Sequence, residues 1–242
     1  MTNIDSLGRL DTAVITSVSN SKRASRRQPS QGTSKRLSSK RPDGRFERSK
    51  RTRQAFIDAF IELVRKTGTM PSAEALAALS DRSARILFDR FETLDCLAAE
   101  AFQQIFSSHD LVLPTQLLLH DFEDRLDWYV RSRAETCEAW RHMWPMMVQF
   151  TRKDTRCAAW ASVVARLERE RCQRLFSKEL DEASKTHRDK LVLSLEMLLG
   201  VEIWARLREG DQMTTTAALE YWKAAARTFF SAWSGRLVAD AA

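Results

Sequence analysis

The chain has 242 residues, 43% of them hydrophobic, with only 7 glycines and 5 prolines and a net charge of +7. That is enough apolar material for a sizeable core, and the absence of alternating β-branched runs after residue 50 argues against β structure and for an all-α fold. Residues 1–53 hold 14 Lys/Arg against 4 Asp/Glu whereas residues 54–242 hold 25 against 28, so the basicity belongs to the N-terminal stretch and suits a polyanion partner.

Several function classes drop out early. There is no glycine-rich phosphate loop, no HExxH and no GxSxG. Nothing in the chain therefore pairs a nucleophile with a base, and neither an enzyme, a catalytic residue, a metal nor a cofactor is expected. The four cysteines, Cys96, Cys137, Cys157 and Cys172, are scattered through helical patterns. Such spacing fits reduced thiols and a cytoplasmic location. No apolar run reaches the ~18 residues a membrane span needs, and the first twenty residues lack the charge and apolar core of a signal peptide.

Residues 1–47 are rich in Ser, Arg and Lys, with Phe46 their one aromatic residue, and are expected to form a disordered basic tail. The tail reads as an arm on DNA phosphates, as a solvated extension, as the product of a start placed too early, or as an Arg/Ser-rich transit segment. Residues 48–95 are expected to form a three-helix domain. In its first helix Phe56, Ala59, Phe60, Leu63 and Val64 recur at helical spacing, and Gly68 follows as a stop. Arg48, Lys50, Arg51 and Arg53 precede that stripe and are placed to hold a phosphate backbone. Ser72 caps a second helix that ends near Leu79, and with Arg51, Arg53 and Phe88 it is counted among the expected DNA contacts.

Leu76 to Phe91, LAALSDRSARILFDRF, reads as a helix-turn-helix. Leu76, Leu79, Leu87, Phe88 and Phe91 are expected to close a small core, and Ser80 or Asp81 to cap the third helix. Arg82, Ser83, Arg85, Asp89 and Arg90 are left on the polar face. Two turns suffice for a recognition helix, because only its first residues reach base edges. Arg85 is the expected guanine reader; Arg82 and Ser83 can bond phosphate or base, and Asp89 can take a cytosine amine or orient Arg85 or Arg90. A helical hairpin with a solvated charged face accounts for the same periodicity.

This stretch, with FIDAFIELVRKTG before it, the Leu76-Ala77 pair, and Phe88 and Phe91 three positions apart, resembles the N-terminal domain of the TetR family of bacterial one-component transcriptional regulators. The resemblance implies a repressor, a homodimer on a palindromic double-stranded operator, and release by a small-molecule effector. Four positions depart from the family pattern: Asp81 replaces a turn glycine, Arg82 an apolar plug, Phe88 a phosphate-bonding tyrosine, and Leu94 a backbone-contacting lysine. The last two remove phosphate contacts, each worth about 1 kcal/mol for an ordinary hydrogen bond. A non-specific or architectural helical DNA-binding protein with a degenerate helix-turn-helix is the alternative.

Residues 96–242 are expected to form a helical ligand-binding and dimerisation domain. Thr93 caps a linking helix with Leu97, Ala101 and Ile105 on one stripe, which in the resembled family carries motion from ligand to reader. A helix from Leu118 to about Glu138 follows, then a segment that Pro145 kinks or breaks, then a helix from Asp154 to Phe176 with Glu168, Arg169 and Glu170 as its wet edge. Trp128, Trp140, Met143, Trp144, Met147 and Trp160 supply the large adaptable side chains of a site for an apolar, aromatic or cationic effector, or else of an ordinary core. A soft-metal set of Cys137, His142, Met143, Met146 and Met147 is disfavoured, because Cys137 and His142 share no helix face. The run from Leu191 to Ala205 reads as one all-round apolar helix, and Leu219, Trp222, Ala226, Phe229 and Trp233 as the stripe of a last helix ending at Gly235; in the resembled family such a pair forms the dimer interface.

Overall fold

The architecture is taken from a computed structural model that describes residues 44–108, 112–181 and 184–239, with the side chains of Arg45 and of residues 233–239 excepted. The predicted tail up to residue 43, and His109, lie outside the described residues. All regular structure among the described residues is helical. The order is α1 (Gly44–Thr67), α2 (Ala73–Ser80), α3 (Ala84–Phe91), α4 (Leu94–Ser108), a 3-10 turn (Thr115–Leu119), α5 (Phe122–Trp140), α6 (Trp144–Lys153), α7 (Thr155–Leu175), the one-turn α8 (Ser177–Leu180), α9 (Lys185–Leu198), α10 (Val201–Ala205) running on into a π-turn (Arg206–Gly210), and α11 (Thr215–Ala239).

The first three helices follow local signals. The apolar stripe of α1 is buried at Phe56, Ala59, Phe60 and Val64, and the helix begins at Gly44, so residues 44–47 belong to it and not to the tail. Gly68 ends α1 in the left-handed region at φ 67°, with its N–H donating to Val64 O at 2.8 Å. Ser72 caps α2, accepting from Ala75 N at 3.2 Å. Asp81 takes the left-handed φ 53°, ψ 48° that closes α2, and Ser83, not Ser80 or Asp81, caps α3 by accepting from Ile86 N at 3.4 Å. Leu76, Leu87 and Phe91 point inward, whereas Leu79 and Phe88 are 43% and 46% exposed and do not belong to the core. Phe88, one position past Leu87, is turned off the inward face, and Leu79, in the last turn of α2, is left uncovered although it lies three positions past Leu76.

Beyond α4 the expected boundaries move where tertiary contacts override local pattern. Asp121, accepting from Asp124 N at 2.9 Å, caps α5, so the helix starts at Phe122 and the Leu118 region is a 3-10 turn. Pro145 stands in the first turn of α6, where its missing N–H costs nothing, and the chain breaks between Trp140 and Trp144. The run Leu191 to Ala205 is two helices, separated at Leu199-Gly200. Gly235 does not stop α11, which continues to Ala239. The inward row of α11 is Ala218, Trp222, Ala226 and Phe230, with Leu219 and Phe229 only partly covered.

Two apolar cores result. The first joins α1–α4 to α6 and the first half of α7, with Phe102 edge-on to Phe60 at 5.9 Å and tilted on Phe150 at 5.2 Å. The second joins α5, the end of α7 and α8–α11, with Trp204 against Trp222 at 4.6 Å. Glu168, expected on a wet edge, is buried between them at 7% exposure.

Candidate functional site

The outer face of α3 is polar and largely unpartnered. Arg82, Ser83, Arg85, Phe88, Asp89 and Arg90 are all exposed. Among the described residues no ion pair reaches Arg85, Asp89 or the Arg90 side chain, so Asp89 does not orient either arginine. Arg82 Nη1 donates to the Asp81 carbonyl at 2.6 Å, which ties it to the turn. Ser83 holds its helix cap with the same oxygen a base contact would use. Phe88 contributes an exposed apolar ring beside this face.

The positions expected to hold phosphate separate into two groups. Arg51 and Lys50 are exposed on the first turns of α1, and Arg48 bonds only its own helix at Gly44 O, 2.9 Å away. Arg53 is only partly covered, but its guanidinium is engaged by the protein. Its Nε donates to Glu100 at 2.8 Å and its Nη1 to the Arg90 carbonyl at 2.5 Å, and the guanidinium lies 4.2 Å over the Phe91 ring. It clamps α1 to α3 and α4 and is removed from the expected phosphate set. Ser72 is likewise committed: Glu74, whose carboxyl is held below the ordinary range by its own backbone N–H and then by the Ser72 hydroxyl, completes the cap of α2.

A second feature lies at the seam of the two cores, a half-open cavity of about 350 Å³ whose rim includes the exposed Leu193 and Met197. Its first wall is Phe106, Trp140, Trp144 and Val164, its opposite wall Tyr129, Cys172, Val192 and Val201. Arg133 and Glu168 close its inner end, and Arg169, Glu196 and Glu202 stand on its remaining margin. Of the six large residues expected in an effector site, only Trp140 and Trp144 line it. Met143, Met147 and Trp160 are core residues of the first cluster, and Trp128 is a stacking surface for the Arg171 guanidinium at 5.4 Å. The soft-metal set is not brought together either, since Cys137 lies in the second core and Met143, Met146 and Met147 lie in the first.

The inner end carries the cavity's charge. Arg133 Nη1 donates to Glu168 at 2.9 Å, while its Nε and Nη2 both donate to the Leu199 carbonyl, at 3.3 and 2.9 Å. Burial is the largest influence and opposes its charge, but the adjacent Glu168 carboxylate, together with smaller contributions from Cys137 and Tyr129, holds Arg133 above the usual arginine range. Arg171 Nη2 lies 3.1 Å from the other Glu168 oxygen. Burial pushes the Cys172 thiol up to about 12 and Tyr129 well above the phenol range, so both stay neutral. Arg133 and Glu168 were missed in the sequence, although the signal was there. Arg133 is four residues past Tyr129, and Glu168 four past Val164 and eight past Trp160, on the same buried stripes.

No protein-family model matches the chain, and no curated protein matches it.

Proposed function

We propose that the chain is a cytoplasmic, homodimeric, TetR-like transcriptional regulator, a repressor that reads a palindromic DNA operator with α3 and releases it when a small apolar ligand enters the seam cavity. One observation carries the reading. Arg85 and Asp89 stand on the outer face of α3 with no ion-pair partner, while Leu87 and Phe91 hold the opposite face in the core. Charged groups left unpaired on a helix this firmly anchored are placed for an external polar surface, and a major groove admits one helix. Exposed Arg48, Lys50 and Arg51 on α1 add phosphate contacts.

Dimerisation is supported by α11, although not by the stripe expected for it. Trp222 and Ala226 face inward, and Ala217, Tyr221, Ala224 and Thr228 lie exposed at steps of three and four on another face. Such a surface suits a close helix pairing between two copies. No helix among the described residues is long and apolar enough to cross a membrane.

The second reading, non-specific DNA binding through the basic N-terminal stretch, is favoured by one observation: Arg53 and Ser72 are withdrawn from phosphate contact. Selection of the purified protein on a random genomic library separates the two. Recovery of one palindromic sequence is expected; uniform recovery with steep salt dependence overturns the regulator reading.

A further inference from the structure

We propose that the seam cavity is built for an apolar monocarboxylate, its carboxylate seated at Arg133 and its body lying against Trp140 and Trp144. This deepens the reading of the cavity as an effector site and rests on it for its biological meaning, but not for its chemistry.

The argument starts from charge. Arg133, Arg171 and Glu168 are 13%, 3% and 8% exposed at their side chains. Two guanidiniums face one carboxylate, so one positive charge is left without a formal counter-charge in a nearly dry place. Such a charge is costly unless something negative lies beside it. The Leu199 carbonyl holds Arg133 in position and offsets part of that charge with its dipole, but carries no net charge of its own. Tyr129, Cys172 and Cys137, the other ionisable groups at this end, are pushed up by burial and stay neutral.

Donor accounting points the same way. A guanidinium has five N–H groups, and the bonds of Arg133 to Leu199 and Glu168 use three of them. Two remain for a group in the cavity that Arg133 itself lines. Trp144, which also lines the cavity, has a buried indole N–H with no hydrogen-bond partner, a second donor with no acceptor. An unmet buried donor is destabilising, and an incoming oxygen relieves it. Apart from Thr136 and the charged margin of Arg169, Glu196 and Glu202, the lining is largely apolar or aromatic and would cover a hydrocarbon or aryl body.

The acids on the margin do not make this a cation site. Glu196 is engaged by Arg169 at 2.6 Å. Glu202 is exposed to water, where its field is screened. A cation entering the cavity would have to lie beside Arg133 with no unpaired acid within the dry end.

Three matched probes test the assignment by calorimetric titration of the full chain at neutral pH: 4-phenylbutyrate, its neutral amide 4-phenylbutyramide, and the cation 4-phenylbutylammonium. The carboxylate is expected to bind at least ten times more tightly than the amide, and the ammonium not to saturate. Glu168→Gln, nearly isosteric, raises the local charge and should tighten the carboxylate several-fold without moving the amide. Arg133→Gln should erase the difference between carboxylate and amide; because that change leaves the Leu199 carbonyl and part of Glu168 unbonded, its folding is checked by circular dichroism, and Glu168→Gln decides if it fails. Equal binding of carboxylate and amide, tightest binding by the ammonium, or no saturable binding by any probe at millimolar concentration overturns the assignment. Operator binding is measured separately. Carboxylate binding with no effect on DNA retention sinks the regulator reading and leaves the ligand chemistry standing, whereas recovery of a palindrome without carboxylate preference does the reverse.

Discussion

Arg85 and Arg53 carry the same charge within one small helical unit, yet their surroundings give them opposite roles. Arg85 has no hydrogen-bond or ion-pair partner among the described residues, so removing it should leave the fold intact and delete only an outward fork. Arg85→Ala is expected to relax preference at one base of each half-site by about 1–3 kcal/mol. Affinity falling equally for every sequence would make it a phosphate contact instead. Arg53 bonds Glu100 and the Arg90 carbonyl and covers Phe91. Arg53→Ala should therefore lower thermal stability by about 1–2 kcal/mol, discounted for its partial exposure, with the salt dependence of DNA binding unchanged. Arg51→Ala should do the converse, reducing the salt slope by about 1 with no change in melting. The sequence shows both arginines near the polar face and cannot separate them, because the group that claims Arg53 is a carboxylate 47 positions away. Glu168 is the opposite case: its stripe with Trp160 and Val164 was legible, and two charged neighbours, Arg169 and Glu170, disguised it as a wet edge.

At the scale of elements, two turns carry the geometry of α1–α3, and they differ in how much freedom their residue has. Asp81 holds a left-handed conformation that glycine adopts without a Cβ penalty, and it makes no contact that a glycine would lose except a 3.8 Å approach to Arg82. Asp81→Gly is expected to raise stability by about 0.5–1 kcal/mol, read from denaturant midpoints. Gly68 has no such latitude. It is left-handed, and a Cβ there would stand 2.9 Å from the His142 carbonyl in the turn between α5 and α6. Gly68→Ala combines backbone strain with a backbone clash and should cost about 2–3 kcal/mol. An equal melting temperature would show that the α5–α6 turn is free to move away. Both turns were legible, because glycine after a stripe and a polar step between stripes are local signals. The break at Gly200 was not. Gly200 stands in the middle of LVLSLEMLLGVEIWA as a local signal, but the apolar residues on both sides of it masked the break, at which Arg133 bonds the Leu199 carbonyl from another helix.

For the whole molecule the informative boundary is the seam between cores, which does not fall where the sequence divides. Residues 48–95 look self-sufficient by periodicity, since α1, α2 and α3 each bury one stripe. In the folded chain that stripe is completed from outside: Phe102 on α4 lies between Phe60 and Phe150, and Met143, Met146 and Met147 of the α5–α6 region join the same core. Periodicity identifies a buried face without naming the element that covers it, so the boundary near residue 95 was drawn through a continuous core. In the proposed reading a ligand entering the cavity presses on Trp140 and Trp144, which pack against both cores, and on Val192 and Val201 of the second. Widening the seam is proposed to move α1–α3 and α6, which share one core, against α9–α11, the helices proposed to pair in a dimer. The consequence is testable without any ligand. A fragment of residues 44–95 lacks Phe102, Met147 and Phe150, and losing the cover of even one large buried side chain costs about 3–5 kcal/mol, a large part of a small domain's stability. That fragment should show little helical signal and no cooperative melt by circular dichroism, whereas the full chain should unfold the α1–α3 unit and α6 in one transition. A cooperative melt of the isolated fragment would make the reader an autonomous domain and remove the mechanical basis for coupling it to the seam.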